Sequence, residues 1–374
     1  MVIAVNTRFL LPDYLEGYGN FIYETFRRIT RQHPGHTFIF IFDRPFDPRF
    51  IPGPNVIPVV TGPPARHPLL WKIWYDIKVP AVLKKYKADV FVSADGFCSL
   101  TTSVPQCLVI HDLAFLMFPQ GIKKADLLFY KRYTPRFLEK AKIVVTVSEF
   151  SRQDMLRRYN TAAGKIVVVP NGVKTVFTPL NEEEKRKVKA AYTGGKEYFL
   201  YTGAIHPRKN LVNLLKAFSV LKKRQGTGMK LVLAGRLAWK YGSFMEDLKS
   251  YKYRNDVVMT GYLGEEELVK VTGAAYAMVY PSVFEGFGLP VPEAMRCGVP
   301  VITSAGTAMQ EIAGDAALYA DPADHKSIAE QMMRLYKDEN LRKQLAEKGI
   351  QRAELFSWDQ AAEQLWACIQ RASG

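Results

Sequence analysis

The sequence predicts an α/β chain built on two mostly parallel sheets, each covered by helices. Three observations predict it. Short Val- and Ile-rich runs alternate with longer helical patterns. The alternation runs through twice, its second series starting near Tyr198 after a polar, charged stretch. The chain has 374 residues, 48% of them hydrophobic and 23% charged, which suits two globular domains better than one.

In the first series the apolar runs fall at 2–6, 37–42, 56–60, 89–92, 107–111, 143–147 and 166–169. Runs this short, apolar at nearly every position, read as strands covered on both faces. Helical patterns lie at about 19–32, 70–87, 123–140 and 149–159. Within 123–142, Leu127, Leu128, Phe129, Tyr133, Phe137 and Leu138 recur at spacings that pack a helix on a sheet. Lys123, Lys124, Lys131, Arg132, Arg136, Lys140 and Lys142 make the same segment basic, so contact with anionic lipid competes with simple packing. Pro135 is expected to kink or restart that helix. The polar segment 178–197 then separates the series, with the junction expected near 171–180.

The second series has strand-like runs at 198–202, 230–234, 256–260, 276–280, 299–303 and 317–319. No short motif recurs, which excludes a solenoid. Trp358 to about Ile369 forms a lone amphipathic helix behind Ser357, a good N-cap. The reading is two Rossmann-like domains, residues 1–175 and 176–357, with 358–374 crossing back to the first. Ligands of such sheets sit beyond the carboxyl ends of the strands, and two domains facing each other would enclose a cleft there.

The net charge is +15, unevenly spread. Residues 1–175 hold 24 Lys and Arg against 13 Asp and Glu, and the remainder 27 against 23. A basic N-terminal half suits anionic lipid, a phosphorylated acceptor or nucleic acid, and a solvated basic surface explains it equally well. Val2-Ile3-Ala4-Val5 reads as a buried first strand and lacks the features of a signal peptide. No apolar stretch approaches the roughly 20 residues that span a bilayer. Cys98, Cys107, Cys297 and Cys368 show neither metal-ligand nor redox spacing, so free thiols in a reducing cytoplasm are expected. Also missing are an Asp-x-Asp, a Gly-x-Ser-x-Gly elbow and a P-loop.

Chemistry concentrates in residues 281–304. An apolar run ends at Tyr280, a turn carries Gly286 and Gly288, and a helix follows through Pro292-Glu293-Ala294-Met295. Glycines let a backbone come close to a ligand, and a helix start offers N–H groups to an anion. Glu285 in the loop and Glu293 in the first helical turns suit the hydroxyls of a sugar and a ribose. A Gly-rich turn with acids favoured by the helix dipole accounts for the same pattern. Arg208 and Lys209 follow the end of another strand and precede a helix, as a phosphate site requires, although a solvated basic pair would look alike. His111 ends the run Cys107-Leu108-Val109-Ile110, where a structural role competes with a catalytic one. Gly17 and Gly19 open a helix without completing a dinucleotide fingerprint, because Ile22 stands where its third glycine would be.

Glu285 and Glu293, separated by seven residues around Gly286-Phe287-Gly288, resemble the signature of retaining family-4 glycosyltransferases. Further landmarks resemble the same family: Gly17-Tyr18-Gly19, His111-Asp112-Leu113, Val147-Ser148-Glu149-Phe150-Ser151, Val169-Pro170-Asn171-Gly172-Val173, Pro207-Arg208-Lys209-Asn210, Leu233-Ala234-Gly235 and Gly314-Asp315-Ala316-Ala317. Together they extend over nearly the whole chain. The resemblance implies the GT-B fold, with an acceptor-side N-terminal domain and a C-terminal domain that binds a nucleotide sugar. It implies that Glu285, with the backbone N–H groups of Phe287 and Gly288, binds the transferred sugar. Glu293 would hold the ribose, Arg208 and Lys209 the diphosphate. His111 would lie beside the sugar, and Gly17 and Gly19 near the phosphates. Where many relatives carry a basic residue after the glycine ending this strand, here Ala204 follows Gly203.

The implied reaction moves a hexose from a nucleotide diphosphate sugar to a hydroxyl of a glycan or lipid-linked acceptor, with retention and without a metal. The leaving phosphate would deprotonate the acceptor through an oxocarbenium-like transition state. Resemblance to bacterial mannosyltransferases of surface polysaccharide pathways favours GDP-mannose. The expectations are therefore no cofactor, no nucleic-acid partner, and a cytoplasmic enzyme for which peripheral contact with an anionic membrane at the inner face stays an open alternative. An epimerase of the same architecture and a non-catalytic basic surface binder are the competing functions.

Overall fold

The computed structural model describes residues 1–12, 15, 17–237 and 242–374. They form two compact units: Met1–Gly172 with Trp358–Gly374, and Val173–Ser357.

The first unit holds strands β1 (Val2–Asn6), β2 (Thr37–Phe42), β3 (Val56–Val60), β4 (Val90–Ser93), β5 (Gln106–Val109), β6 (Ile143–Thr146) and β7 (Ile166–Val168). All pairs are parallel, in the order β3-β2-β1-β4-β5-β6-β7. Burial on both faces explains the unbroken apolar runs: Phe38 through Phe42 are all buried. On one face Trp71, Trp74, Phe97, Phe129 and Phe137 join a single apolar cluster.

Two helical segments depart from the expected form, and both departures centre on proline. The 70–87 pattern becomes a helix at Pro68–Ile73, a π-turn at Trp74–Lys78 and a helix at Val79–Lys85. Pro80 has no N–H to continue the ladder, and Val79 N–H reaches back to the Trp74 carbonyl instead. By contrast, the helix Lys124–Lys140 continues through Pro135 without restarting. Pro135 and Lys131 are both exposed, so water can satisfy the carbonyl that the proline leaves unpaired.

The second unit holds β8 (Tyr198–Thr202), β9 (Lys230–Ala234), β10 (Val257–Gly261), β11 (Ala277–Tyr280), β12 (Val301–Ser304) and β13 (Ala317–Ala320). These too are parallel, in the order β10-β9-β8-β11-β12-β13. The polar segment before β8 is itself mostly helix, Glu182–Thr193. Asn181 and Glu184 close a capping box at its start, and Gly194 ends it at φ 60°.

The final helix, Trp358–Ser373, belongs to the first unit and packs on the helix Gly17–Gln32. Arg28 Nε donates to Asp359 Oδ1 at 2.5 Å, and the Trp366 ring stacks on His33 at 3.9 Å. Strand order reverses direction between β1 and β4 in the first unit and between β8 and β11 in the second. Ligand crevices of open α/β sheets lie at such switch points. Among the described residues no helix is long and apolar enough to cross a membrane.

Candidate functional site

At the second switch point, β8 and β11 run side by side, with Phe199 opposite Ala277 and Leu200 opposite Met278. The loops leaving their carboxyl ends are tied together. After β8 a single 3-10 turn, Pro207–Lys209, is capped by His206, whose Nδ1 accepts from the Arg208 N–H. Asn210 adopts φ 64°, and its side-chain amide donates to the carbonyls of Pro281 at 3.0 Å and Pro322 at 2.7 Å. The Val283 N–H then donates to the Arg208 carbonyl at 3.0 Å. Arg208 and Lys209 therefore sit one turn ahead of the helix Leu211–Gln225, against the loop that carries Glu285.

The Glu285 carboxylate is buried, and its partners come from both loops. Lys209 Nζ donates to Oε1 at 2.6 Å, and Ser282 Oγ donates to the same oxygen at 2.5 Å. Arg208 NH1 lies 3.6 Å from Oε2 and donates to the Phe284 carbonyl at 3.1 Å. Burial would raise this carboxyl's pKa, but the charges of Lys209 and Arg208, with the two hydrogen bonds, outweigh it and hold the group below its ordinary value. An anionic carboxylate faced by two cations is thus stable at this site.

The turn after Glu285 depends on Gly288. Its φ is 84°, and a Cβ there would stand 2.7 Å from Met309 Cγ. Phe287 anchors the turn, buried with its ring edge-on to Phe356. Glu293 follows in the first turn of the helix Pro290–Arg296. Burial pushes its carboxyl up to about 8; Lys174, paired with Glu265, lowers it and Glu265 raises it. Burial raises the Tyr280 phenol pKa; the charges of Glu285 and Glu293 push the same way and Arg208 opposes them.

His111, Gly17 and Gly19 lie in the first unit, beyond the ends of β5 and β1. Burial lowers the imidazole to about 4, against the raising effects of a hydrogen bond to the Ala94 backbone and of Asp95, so the ring is neutral at pH 7. Its Nε2 is buried and has no hydrogen-bond partner among the described residues. The rings of Tyr18 and Phe21 meet it edge-on at 4.8 and 5.2 Å, which brings the start of the helix Gly17–Gln32 against His111. Gly19 lies close to the backbone, where a Cβ would be 2.5 Å from the Phe9 carbonyl oxygen, whereas Gly17 has open space among the described residues.

The structure therefore gathers Arg208, Lys209 and Glu285 into one constellation with Gly286, Phe287 and Gly288 beside it, and gathers His111 with Gly17 and Gly19 in the other unit. Sequence reasoning missed Ser282 and Tyr280, which look like ordinary residues of a strand end. It also missed a buried ion pair at the first switch point. Arg8 Nε meets Asp95 Oδ2 at 2.5 Å, and the Tyr75 hydroxyl donates to the same carboxylate at 2.6 Å. The signal was present: Asn6 pairs with Ser93, so Arg8 and Asp95 each stand two residues past paired strand ends. Among the described residues no group of three or more His, Cys, Asp or Glu side chains is placed to hold a metal ion.

Comparison with known proteins gives two family matches, end to end along the chain. Residues 16–177 match Glycosyltransferase Family 4, and residues 181–352 match Glycosyl transferases group 1. Over 258 residues the chain is 32% identical to the O-antigen chain mannosyltransferase B of Escherichia coli, covering 68% of this chain and 67% of that one. It is 27% identical over 238 residues to the serotype-specific mannosyltransferase WbdA of Escherichia coli, covering 63% of this chain but only 29% of that longer protein. Among solved structures, Anabaena Alr3699/HepE in complex with UDP-glucose matches with a TM-score of 0.75 at 15% identity, over 99% of both chains. That last likeness is one of fold.

Proposed function

Because the chain belongs to the family-4, group 1 glycosyltransferases of GT-B fold, we propose that its second unit binds a nucleotide diphosphate sugar at the β8/β11 switch point and that the enzyme transfers the hexose with retention and without a metal. The observation that carries this reading is the meeting of Arg208 and Lys209 with the buried Glu285 at that crevice. Two cations ahead of a helix start match the charge of a diphosphate. Glu285 and the N–H groups of Phe287 and Gly288 take hydroxyls of the sugar, and Glu293 takes the ribose.

In the transition state, negative charge grows on the leaving phosphate, and Arg208 and Lys209 are already in place to stabilise it. That phosphate, rather than a separate base, takes the acceptor proton. The sugar assigned is mannose, on the names of the two mannosyltransferase relatives, and GDP-mannose is the donor proposed to carry it. The acceptor is a glycan or lipid-linked hydroxyl, and the enzyme works in the cytoplasm.

Thermal shift with GDP-mannose, GDP, UDP-glucose and UDP tests the donor. A ligand at about 100 times its Kd adds roughly 2.7 kcal/mol to stability. Stabilisation by GDP and GDP-mannose alone supports the assignment; stabilisation by the uridine pair alone replaces it. Activity is expected to survive EDTA, and proton NMR of the first product is expected to show the anomeric configuration of the donor. Loss of turnover on chelation, restored by magnesium or manganese, removes the metal-free reading, and an inverted anomer removes retention.

A further inference from the structure

The two oxygens of Glu285 are not equivalent. Oε1 receives Lys209 Nζ at 2.6 Å and Ser282 Oγ at 2.5 Å, with the Tyr280 hydroxyl at 3.5 Å. Around Oε2, among the described residues, stands only Arg208 NH1 at 3.6 Å, too far for a hydrogen bond. A carboxylate oxygen has about two lone-pair directions, so Oε1 is filled by this chain's own donors while Oε2 keeps its acceptor capacity.

The donors on Oε1 are themselves held in place. Ser282 is fully buried and has one proton; its distances to the carbonyls of Arg208 and Phe284, 3.2 and 3.4 Å, are longer than the 2.5 Å to Glu285. The Ser282 backbone is pinned in turn by Ser304 Oγ, which donates to its carbonyl at 2.7 Å. Lys209 Nζ donates to the Tyr280 hydroxyl at 2.5 Å and sits 5.0 Å above the centre of that ring. The Tyr280 ring lies parallel to Tyr201, centres 5.7 Å apart, and the Tyr201 hydroxyl donates to the Ala204 carbonyl. The end of β11 thus fixes the ammonium through a phenol and the carboxylate through a hydroxyl.

We propose that Ser282 and Tyr280 are positioning residues that, with Lys209, saturate Oε1 of Glu285 and turn Oε2 toward a hydroxyl of the transferred sugar. The proposal rests on the donor-site reading above. It separates two tasks within one constellation: nucleotide binding by the cations, and sugar orientation by a carboxylate whose rotation is blocked.

The test compares Ser282→Ala and Tyr280→Phe with the wild-type chain by calorimetry, using the nucleoside diphosphate and the corresponding sugar nucleotide (GDP with GDP-mannose, UDP with UDP-glucose). Ser282→Ala is expected to keep the diphosphate Kd within about twofold, and Tyr280→Phe, which also loses the bond to Lys209, to raise it less than it raises the sugar-nucleotide Kd. The sugar-nucleotide Kd is expected to rise about tenfold, the factor that 1.4 kcal/mol corresponds to. In Ser282→Ala the loss of a donor also raises the Glu285 pKa, so the pH below which sugar-nucleotide affinity falls moves upward. A merely structural lesion would weaken both ligands alike and leave that pH unchanged. Unchanged sugar-nucleotide affinity in both variants, or equal weakening of both ligands, overturns the proposal while the donor site stands. Wild-type protein that binds neither diphosphate overturns the donor site and the proposal with it.

Discussion

Lys209 and Arg208 look alike in the sequence, but the structure gives them different duties. Lys209 is bonded to Glu285 and Tyr280, whereas Arg208 is bonded to a backbone carbonyl and only approaches Glu285. Removing either weakens a diphosphate site, because a hydrogen bond to a charged group contributes about 1.5–3 kcal/mol. Lys209→Ala and Arg208→Ala are expected to raise the nucleoside diphosphate Kd by at least tenfold, and wild-type affinity in both would misplace the phosphate site. Glu293 gives a pH prediction. Its folded pKa, about 8, lies above the ordinary carboxyl value, so its contribution to stability is intact below about pH 4.5 and is lost as pH rises through 8. Glu293→Gln, neutral throughout, is expected to match the wild-type Tm near pH 4.5 and to exceed it by a few degrees at pH 8.5. A gap that stays constant across that range would contradict the half-buried, protonated acid. His111 runs the other way. Its folded pKa of about 4 is depressed, so its contribution is present above pH 6.5 and lost as pH falls toward 4.

At the scale of elements, what could be read from the sequence divides by mechanism. Parallel strands buried on both faces announce themselves, and β2, β3, β8 and β9 begin and end where their apolar runs do. The helix Glu182–Thr193 was not legible, because only Val188 and Thr193 of it are buried and its stability rests on caps rather than an apolar stripe. The glycine turn 286–288 was visible as a motif, whereas the roles of Ser282 and Tyr280 needed coordinates, since nothing local marks a hydroxyl that meets a carboxylate. Of the apolar residues whose spacing predicts packing, the helix Lys124–Lys140 buries Phe129, Phe137 and Leu138, whereas Leu128 stands 68% exposed among Lys124, Lys131 and Arg132. An apolar side chain ringed by cations suits an anionic membrane surface, where each basic residue contributes on the order of 1 kcal/mol. The chain is expected to sediment with vesicles containing anionic lipid at low salt, to release at high salt, and to lose most binding in a Lys124→Glu/Lys131→Glu/Arg132→Glu variant. Equal sedimentation with neutral vesicles, or none at low salt, would leave that basic face a solvated one.

For the whole molecule, the chain leaves the first unit at Gly172 and re-enters it at Trp358, so the second unit is inserted between two residues that touch. The contact is tight: a Cβ on Gly172 would lie 2.2 Å from the Trp358 backbone nitrogen and 2.5 Å from its Cγ. Backbone cannot yield as a flexible side-chain tip does, and Trp358 is buried at the head of the last helix, its ring edge-on to Phe21 at 6.3 Å. That helix buries Ala361, Ala362, Leu365, Trp366 and Ile369 in the first unit, so displacing its first residue disturbs packing along its length. Overpacking of this kind costs about 1–3 kcal/mol. Gly172→Ala is therefore expected to lower Tm by several degrees, whereas Gly164→Ala, with nothing within 4 Å of the added methyl, supplies the control and should leave Tm unchanged. If Gly172→Ala melts with the wild type, the crossing moves aside without cost, and the contact between the two junction residues does not anchor the returning helix.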